Sequence, residues 1–308
     1  MGARIALTIG NFDGVHLGHA ALIGACREAV GPSGQVVAVT FEPHPIAILR
    51  PADAQPRLAT PGQRRAWLEA AGADVVETLP ATRELLDLPP ERFVSQLVER
   101  HRPEVVVEGP DFRFGRSRTG TLATLRELGR AMGFRVMAID AVETALVDGA
   151  IVRVSSSLVR WTLGAGRVVD AGLCLGRAYE LEGAVVRGEQ RGRTIGFPTA
   201  NLDHGDRLLP ADGVYAGHAI LPDGRRVPAA ISIGTKPTFA GMARVCEAHL
   251  VDHVLDLDDY GWTLRLTFER WMRDQLSFSS LEALVAQIGR DVEHARSASS
   301  GSLVAAGQ

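Results

Sequence analysis

Apolar positions in the first 140 residues come in short runs separated by longer amphipathic stretches. The runs are Ile5 to Ile9, Val36 to Phe41, Val75 to Leu79, Val105 to Val107 and Val136 to Ile139. Each has the length and continuity of a strand buried on both faces. Between them lie helix-period stretches with punctuated ends. Thr60-Pro61-Gly62-Gln63 sets an N-cap hydroxyl, a proline at the first helical position and an N3 glutamine ahead of Trp67 and Leu68, with Gly72 at the far end. Ala20 to Val30 and Leu122 to Met132 read as further helices, the latter stopping at Gly133. This alternation predicts an α/β module whose parallel sheet is covered on both faces and binds ligands at the carboxyl ends of its strands.

Beyond about Tyr179 the texture changes. Tyr179 to Arg187, Val214 to Ile220, Val227 to Ile233, Cys246 to Leu250 and Leu264 to Phe268 alternate with turn signals such as Pro222-Asp223-Gly224. No helical period returns until Leu281 to Ala295, so an antiparallel β-barrel with a closing helix is expected. Between the two textures, Glu143 to Val154 reads as a hairpin turning at Asp148-Gly149, and Ser155 leads into a helix. The 308 residues suit two domains of roughly 100 to 200 residues each. They are expected at 1–172 and 173–296, with a small, polar, disordered tail at 297–308.

Composition narrows the partners. With a net charge of -3 and no basic block, nothing marks a nucleic-acid or membrane-surface footprint, so small molecules are expected. Cys26, Cys174 and Cys246 are odd in number and far apart, which fits reduced thiols and a cytoplasmic location. No apolar run approaches the length of a membrane span, and Met1-Gly2-Ala3-Arg4 leads directly into a strand rather than a signal peptide. Lys236 is the sole lysine and stands between Thr235 and Pro237, so the Gly-Lys-Ser/Thr of a P-loop is excluded.

The stretch Ile9 to His19 joins the first strand to the first helix. Gly10, Gly14 and Gly18 let backbone approach a ligand, and a helix N-terminus offers free N–H groups to an anion. His16 and His19 could stabilise charge on phosphorus. Capping or solvated histidines, or a metal site completed by His44, are the competing readings, although the helical zinc pattern spaces its histidines four apart around a Glu. Two further strand ends, Thr40 to Pro45 and Gly109 to Gly115, are expected to reach the same crevice. Ser155-Ser156-Ser157 and Arg160 could grip a polyphosphate or simply cap a helix.

Taken together, Gly10-Asn11-Phe12-Asp13-Gly14-Val15-His16-Leu17-Gly18-His19, Thr40-Phe41-Glu42-Pro43-His44-Pro45 and Gly109 to Gly115 resemble the prokaryotic bifunctional riboflavin kinase/FMN adenylyltransferase family. The second half resembles it independently, in Gly192-Arg193-Thr194-Ile195-Gly196-Phe197-Pro198-Thr199-Ala200-Asn201, Gly213-Val214-Tyr215, Gly234 to Phe239 and Tyr260-Gly261. The resemblance implies a Rossmann-like nucleotidyltransferase domain followed by a six-stranded riboflavin kinase barrel. It implies ATP-dependent conversion of riboflavin to FMN and of FMN to FAD, with Mg²⁺.

By the same resemblance, His16, His19 and Arg160 act in adenylyl transfer, with Ser156 and Ser157 forming a second phosphate-binding element. Gly10, Asn11, Phe12, Asp13, Gly18, His44, Gly109, Asp111 and Phe112 would bind nucleotide or flavin. In the kinase half, Glu247 would be the general base, Thr199 and Asn201 would hold Mg²⁺ and the ATP phosphates, and Gly196, Pro198, Tyr260 and Arg273 would contact nucleotide or flavin. Two departures stand out. Leu158 occupies a place where the family often has Arg, and Arg273-Asp274-Gln275-Leu276-Ser277-Phe278 replaces the usual R-x-E-x-K-F. The second motivates the alternative of a flavin-binding protein with one impaired module.

Overall fold

A computed structural model describes residues 4–238, 241–253 and 259–300. In chain order the first part comprises β1 (Ile5–Ile9), α1 (Leu17–Val30), β2 (Gln35–Glu42), α2 (Pro45–Leu49), α3 (Pro61–Ala70), β3 (Val75–Pro80), α4 (Arg83–Leu86), α5 (Pro90–His101), β4 (Val105–Glu108), α6 (Leu122–Met132) and β5 (Arg135–Ala138). A hairpin of β6 (Glu143–Ala145) and β7 (Ile151–Arg153) follows. Then come α7 (Ser156–Gly164), α8 (Val168–Leu175), β8 (Tyr179–Val186), α9 (Arg191–Thr194), β9 (Ala200–Asp203), β10 (Gly213–Ile220), β11 (Arg226–Thr238), β12 (Gly241–Leu250), β13 (Thr263–Arg273) and α10 (Leu281–Ser300).

The five early strands form one parallel sheet in the order β3-β2-β1-β4-β5. Its two faces bury separate cores, because successive strand residues point to opposite sides. Ala6, Val36, Ala38, Val105 and Val107 pack with Ile23, Cys26 and Leu68 of α1 and α3. Leu7, Ile9, Val37, Val39 and Val106 pack with Phe93, Leu97 and Leu125 of α5 and α6. The strand order reverses between β1 and β4, where open α/β sheets form their ligand crevice. The expected helix starts hold where caps are strong: Thr60 and Gln63 complete a capping box on α3, and Gly133 ends α6 in the left-handed region. Helix α1 begins at Leu17, three residues before the expected Ala20, because His16 already occupies the N-cap.

The later strands close into a barrel, β10-β11-β12-β9-β8-β13, with β13 returning to β10. Leu181, Ile231, Ile233, Ala248, Leu264 and Leu266 are buried, and Tyr215 sets its ring edge-on to Phe268 at 5.3 Å. Helix α10 packs Val292 and Ala295 against Ala216 and Val251. It continues to Ser300, so residues 297–300 are helical rather than tail, while 301–308 lie outside the described residues, as does Phe239. Arg273, expected at the flavin, is clasped by Asp291 of α10 through both carboxylate oxygens, at 2.6 to 3.1 Å. Its guanidinium also lies 5.8 Å from the Phe278 ring centroid.

The chain divides into two compact units. One consists of Met1–Pro56, Thr60–Thr144 and Ile151–Ser155, and the other of Arg57–Ala59, Ala145–Ala150 and Ser156–Gln308. Helices α7 and α8 therefore group with the barrel, on the far side of the division expected at residue 172. Trp271 of β13 packs over Gly166 between them, so closely that a Cβ there would meet the indole.

Candidate active site

In the first unit the loop from Gly10 to His19 is pinned at several points. The Gly10 N–H donates to Val39 O at 3.0 Å. The Ile9 N–H donates to Glu108 Oε1 at 2.7 Å, tying the ends of β1 and β4 together across the sheet reversal. Glu108 is 2% exposed, and burial pushes its carboxyl well above the ordinary glutamate range even though the Ile9 N–H favours the charged form. Phe12, Gly14 and Val15 all take positive φ, and for a buried β-branched residue such as Val15 this is a strained conformation of the kind found at functional sites.

This winding delivers the histidines to the start of α1. His16 and His19 stack with ring centroids 3.6 Å apart, and Phe12 meets His19 edge-on at 5.1 Å. Both imidazoles thus stand where the helix presents its unpaired N–H groups. Gly18 makes room for the stack, since a Cβ on it would lie 3.1 Å from His16 Cε1. We expect Gly18→Ala to displace the His16 ring and lower the turnover of whatever reaction the pair serves by roughly 10-fold or more. Steady-state rates of the variant against the parent chain check this.

The end of β2 reaches this loop. Thr40 Oγ1 at the end of β2 donates to Asn11 O at 3.2 Å. His44 caps α2, its Nδ1 accepting from the Ile46 N–H at 3.2 Å. After β4, Phe112 stacks on Phe114 at 5.3 Å, and the exposed Asp111 pairs with Arg153 at 2.5 Å. Asp13 is buried, and Gly109 faces open space. Arg64, which the sequence did not single out, and Glu42, quoted there only within the Thr40 to Pro45 motif, also belong here: Arg64 Nη2 donates to Glu42 Oε2 at 2.8 Å and Nη1 to Asn11 O at 3.3 Å. Nothing in their 22-residue separation signals this pairing. Ser156, Ser157 and Arg160 stand in the first turns of α7, which belongs to the second unit. Among the described residues no three His, Cys, Asp or Glu side chains assemble into a metal-binding group.

The second unit holds a cleft of its own, with about 460 Å³ of open space between β8, β9 and the approach to β13. Thr199, Asn201, Pro198 and Tyr260 line it. Arg193, Gln190 and Trp262 line it too and were not anticipated as site residues, although Arg193 stands within the Gly192 to Asn201 run that carried the resemblance. Gln190 Nε2 donates to the Tyr260 hydroxyl at 3.0 Å. Glu247 pairs in register with Asn201 across β12 and β9 and with Ser232 across β12 and β11. Directly opposed residues share a face of the sheet, so Glu247 stands one strand from the cleft, beside Asn201. Gly196 takes a positive φ in the turn before Phe197.

Comparison with known proteins matches both units. The FAD synthetase family profile matches residues 2–157 and the riboflavin kinase profile residues 175–299. The chain is 37% identical over 292 residues to the bifunctional riboflavin kinase/FMN adenylyltransferase of Escherichia coli K12, covering 94% of this chain and 91% of that protein. It is 38% identical to the protein of the same description from Pseudomonas fluorescens, with 94% and 91% covered. A crystal structure from Streptococcus pneumoniae, described as a macrolide-efflux protein, superposes with a TM-score of 0.85 at 29% identity, covering 96% of this chain and 95% of that one. In the present chain no described helix is long and apolar enough to cross a membrane.

Proposed function

Because the chain belongs to the bifunctional riboflavin kinase/FMN adenylyltransferase family, it phosphorylates riboflavin to FMN and adenylylates FMN to FAD, and we propose how its residues divide that work. Adenylyl transfer falls to the parallel-sheet unit. The FMN phosphate is already ionised, so its attack on the α-phosphorus of ATP needs alignment and charge stabilisation rather than a strong base. His16 and His19, stacked at the N-terminus of α1, would stabilise the charge that builds on the phosphate oxygens as pyrophosphate leaves. The observation that carries this reading is that stack, held by a strained loop at the point of sheet reversal. Asn11, Phe12, Asp13, His44, Gly109, Asp111 and Phe112 surround the nucleotide and FMN. Ser156, Ser157 and Arg160 are assigned to phosphate binding by their match to the family motif alone.

The kinase reaction falls to the barrel. Its nucleophile is the neutral ribityl hydroxyl of riboflavin, whose proton must be accepted as the O–P bond to the γ-phosphorus forms and ADP departs. Glu247 is assigned as that acceptor, which its position beside Asn201 supports. Thr199 and Asn201 offer two neutral oxygen ligands to one cleft, a donor set that suits Mg²⁺, since this ion takes most of its other ligands from phosphate and water. Held there, it would supply neutralisation of phosphate charge. Arg193 lies in the same cleft to meet the polyphosphate. The buried free thiols of Cys26, Cys174 and Cys246 suit a cytoplasmic setting.

The metal assignment is tested by titrating Mg²⁺ in separate assays of riboflavin phosphorylation and FMN adenylylation. Thr199→Val is expected to raise the Mg²⁺ concentration needed for half-maximal phosphorylation by roughly 10-fold, the scale of one lost ligand interaction. Adenylylation should keep its parent Mg²⁺ dependence. An unchanged phosphorylation profile would remove Thr199 from the metal site.

A further inference from the structure

Arg64 is buried where a long cation needs a reason to be. It lies in the second turn of α3, its side chain only 8% exposed, and it touches two loops that are far apart in sequence. One nitrogen donates to the carbonyl of Asn11, within the phosphate loop, and another to the carboxylate of Glu42 at the end of β2. The Asn11 carbonyl also accepts from Thr40 Oγ1. Glu42 begins the turn that carries His44 to its cap on α2. One guanidinium therefore fastens the loop bearing His16 and His19 to the loop bearing His44.

The base of the tie is itself rigid. Helix α3 is fixed by the reciprocal Thr60–Gln63 capping box, by Pro61 at its first position and by Leu68 in the core. The planar fork of arginine can serve two acceptors at once. A lysine at this place would carry the charge as a single point and could not reproduce both bonds.

We propose that Arg64 is a positioning residue for adenylyl transfer, holding the phosphate loop and the His44 loop in mutual register through Asn11 and Glu42. This rests on the assignment of Ile9 to His19 as the adenylyl-transfer site. Arg64 acts through these two loops, and its contribution is geometric: near an aligned reaction centre, displacements of about 1 Å cost on the order of 100-fold in rate.

The test uses the full chain, which provides riboflavin phosphorylation as an internal measure of intact protein. Arg64→Lys is expected to lower kcat/KM for FMN adenylylation about 10- to 100-fold, with KM for both ATP and FMN raised as the two loops lose register. Phosphorylation should keep its parent constants. Glu42→Gln should repeat the pattern, and the double variant should be little worse than either single, because both act through one tie. A fall in kcat with both KM values unchanged would mean that Arg64 only keeps the module folded, and would overturn the proposal. So would parent-like constants or additive losses. His16→Ala assayed in parallel separates the underlying assignment: if it leaves adenylylation intact, the site itself is misplaced, whereas if it abolishes turnover and Arg64→Lys does nothing, only the positioning role fails.

Discussion

Glu247→Gln is expected to lower riboflavin phosphorylation by about 10²- to 10⁴-fold, the range for removal of a general base, while FMN adenylylation proceeds at the parent rate. The amide keeps the size of the side chain and its place beside Asn201 and Ser232 in the sheet, but it cannot accept the ribityl proton. Offering riboflavin and FMN in separate reactions with ATP, and resolving the flavins by chromatography, reads both rates from one preparation. From riboflavin the variant should give almost no FMN and no FAD, and from FMN a normal yield of FAD. A joint collapse of both reactions would contradict separate sites, and a normal phosphorylation rate would dismiss Glu247 as the base.

Replacing His16 or His19 by Ala should have the mirror effect. Loss of one donor aimed at developing charge typically costs about 10² to 10³ in turnover, equivalent to about 3 to 4 kcal/mol of transition-state stabilisation. Because the rings are stacked at 3.6 Å, removing one also removes the surface that orients the other. The two single variants should therefore resemble each other, and the double variant should lose much less than the product of the two factors. Phosphorylation of riboflavin is expected to persist in all three. Product analysis with FMN as the starting flavin checks this. Full multiplicative losses would show that the histidines act independently.

How much of this was legible in the sequence depended on how locally each feature is encoded. The parallel strands were visible as continuous apolar runs, and α3 and α6 were visible through their caps, since these signals lie within a few residues of the element they define. Strand β9 escaped because Ala200-Asn201-Leu202-Asp203 is short and half polar, and it exists by pairing with both β12 and β8. Helix α5 was not singled out, although Pro90 opens it and Phe93, Val94 and Leu97 recur on one face at helical spacing. In the site, glycines and histidines advertised the phosphate loop. The supports of that loop did not. Glu108 and Arg64 went unremarked and Glu42 was given no role, because their roles arise only when β1, β2, β4 and α3 meet. Arg273 shows another support that the sequence did not signal: it is taken up by Asp291, whose carboxylate is almost fully buried and also accepts from Gln287.

The path of the chain between its two compact units also bears on how they could be handled apart. The short segment Arg57–Ala59 counts with the barrel, far from it in sequence: Arg57 accepts from the Leu208 N–H, donates its own N–H to Asp206 O at 3.0 Å, and pairs with the Asp206 carboxylate at 2.9 Å. The backbone changes unit after Pro56, Ala59, Thr144, Ala150 and Ser155. A gene truncated at one point near residue 172 would thus yield a kinase fragment stripped of Arg57–Ala59 and of α7, with Gly166 and its packing against Trp271 gone. The barrel unit of this chain thus draws on three separate stretches of sequence.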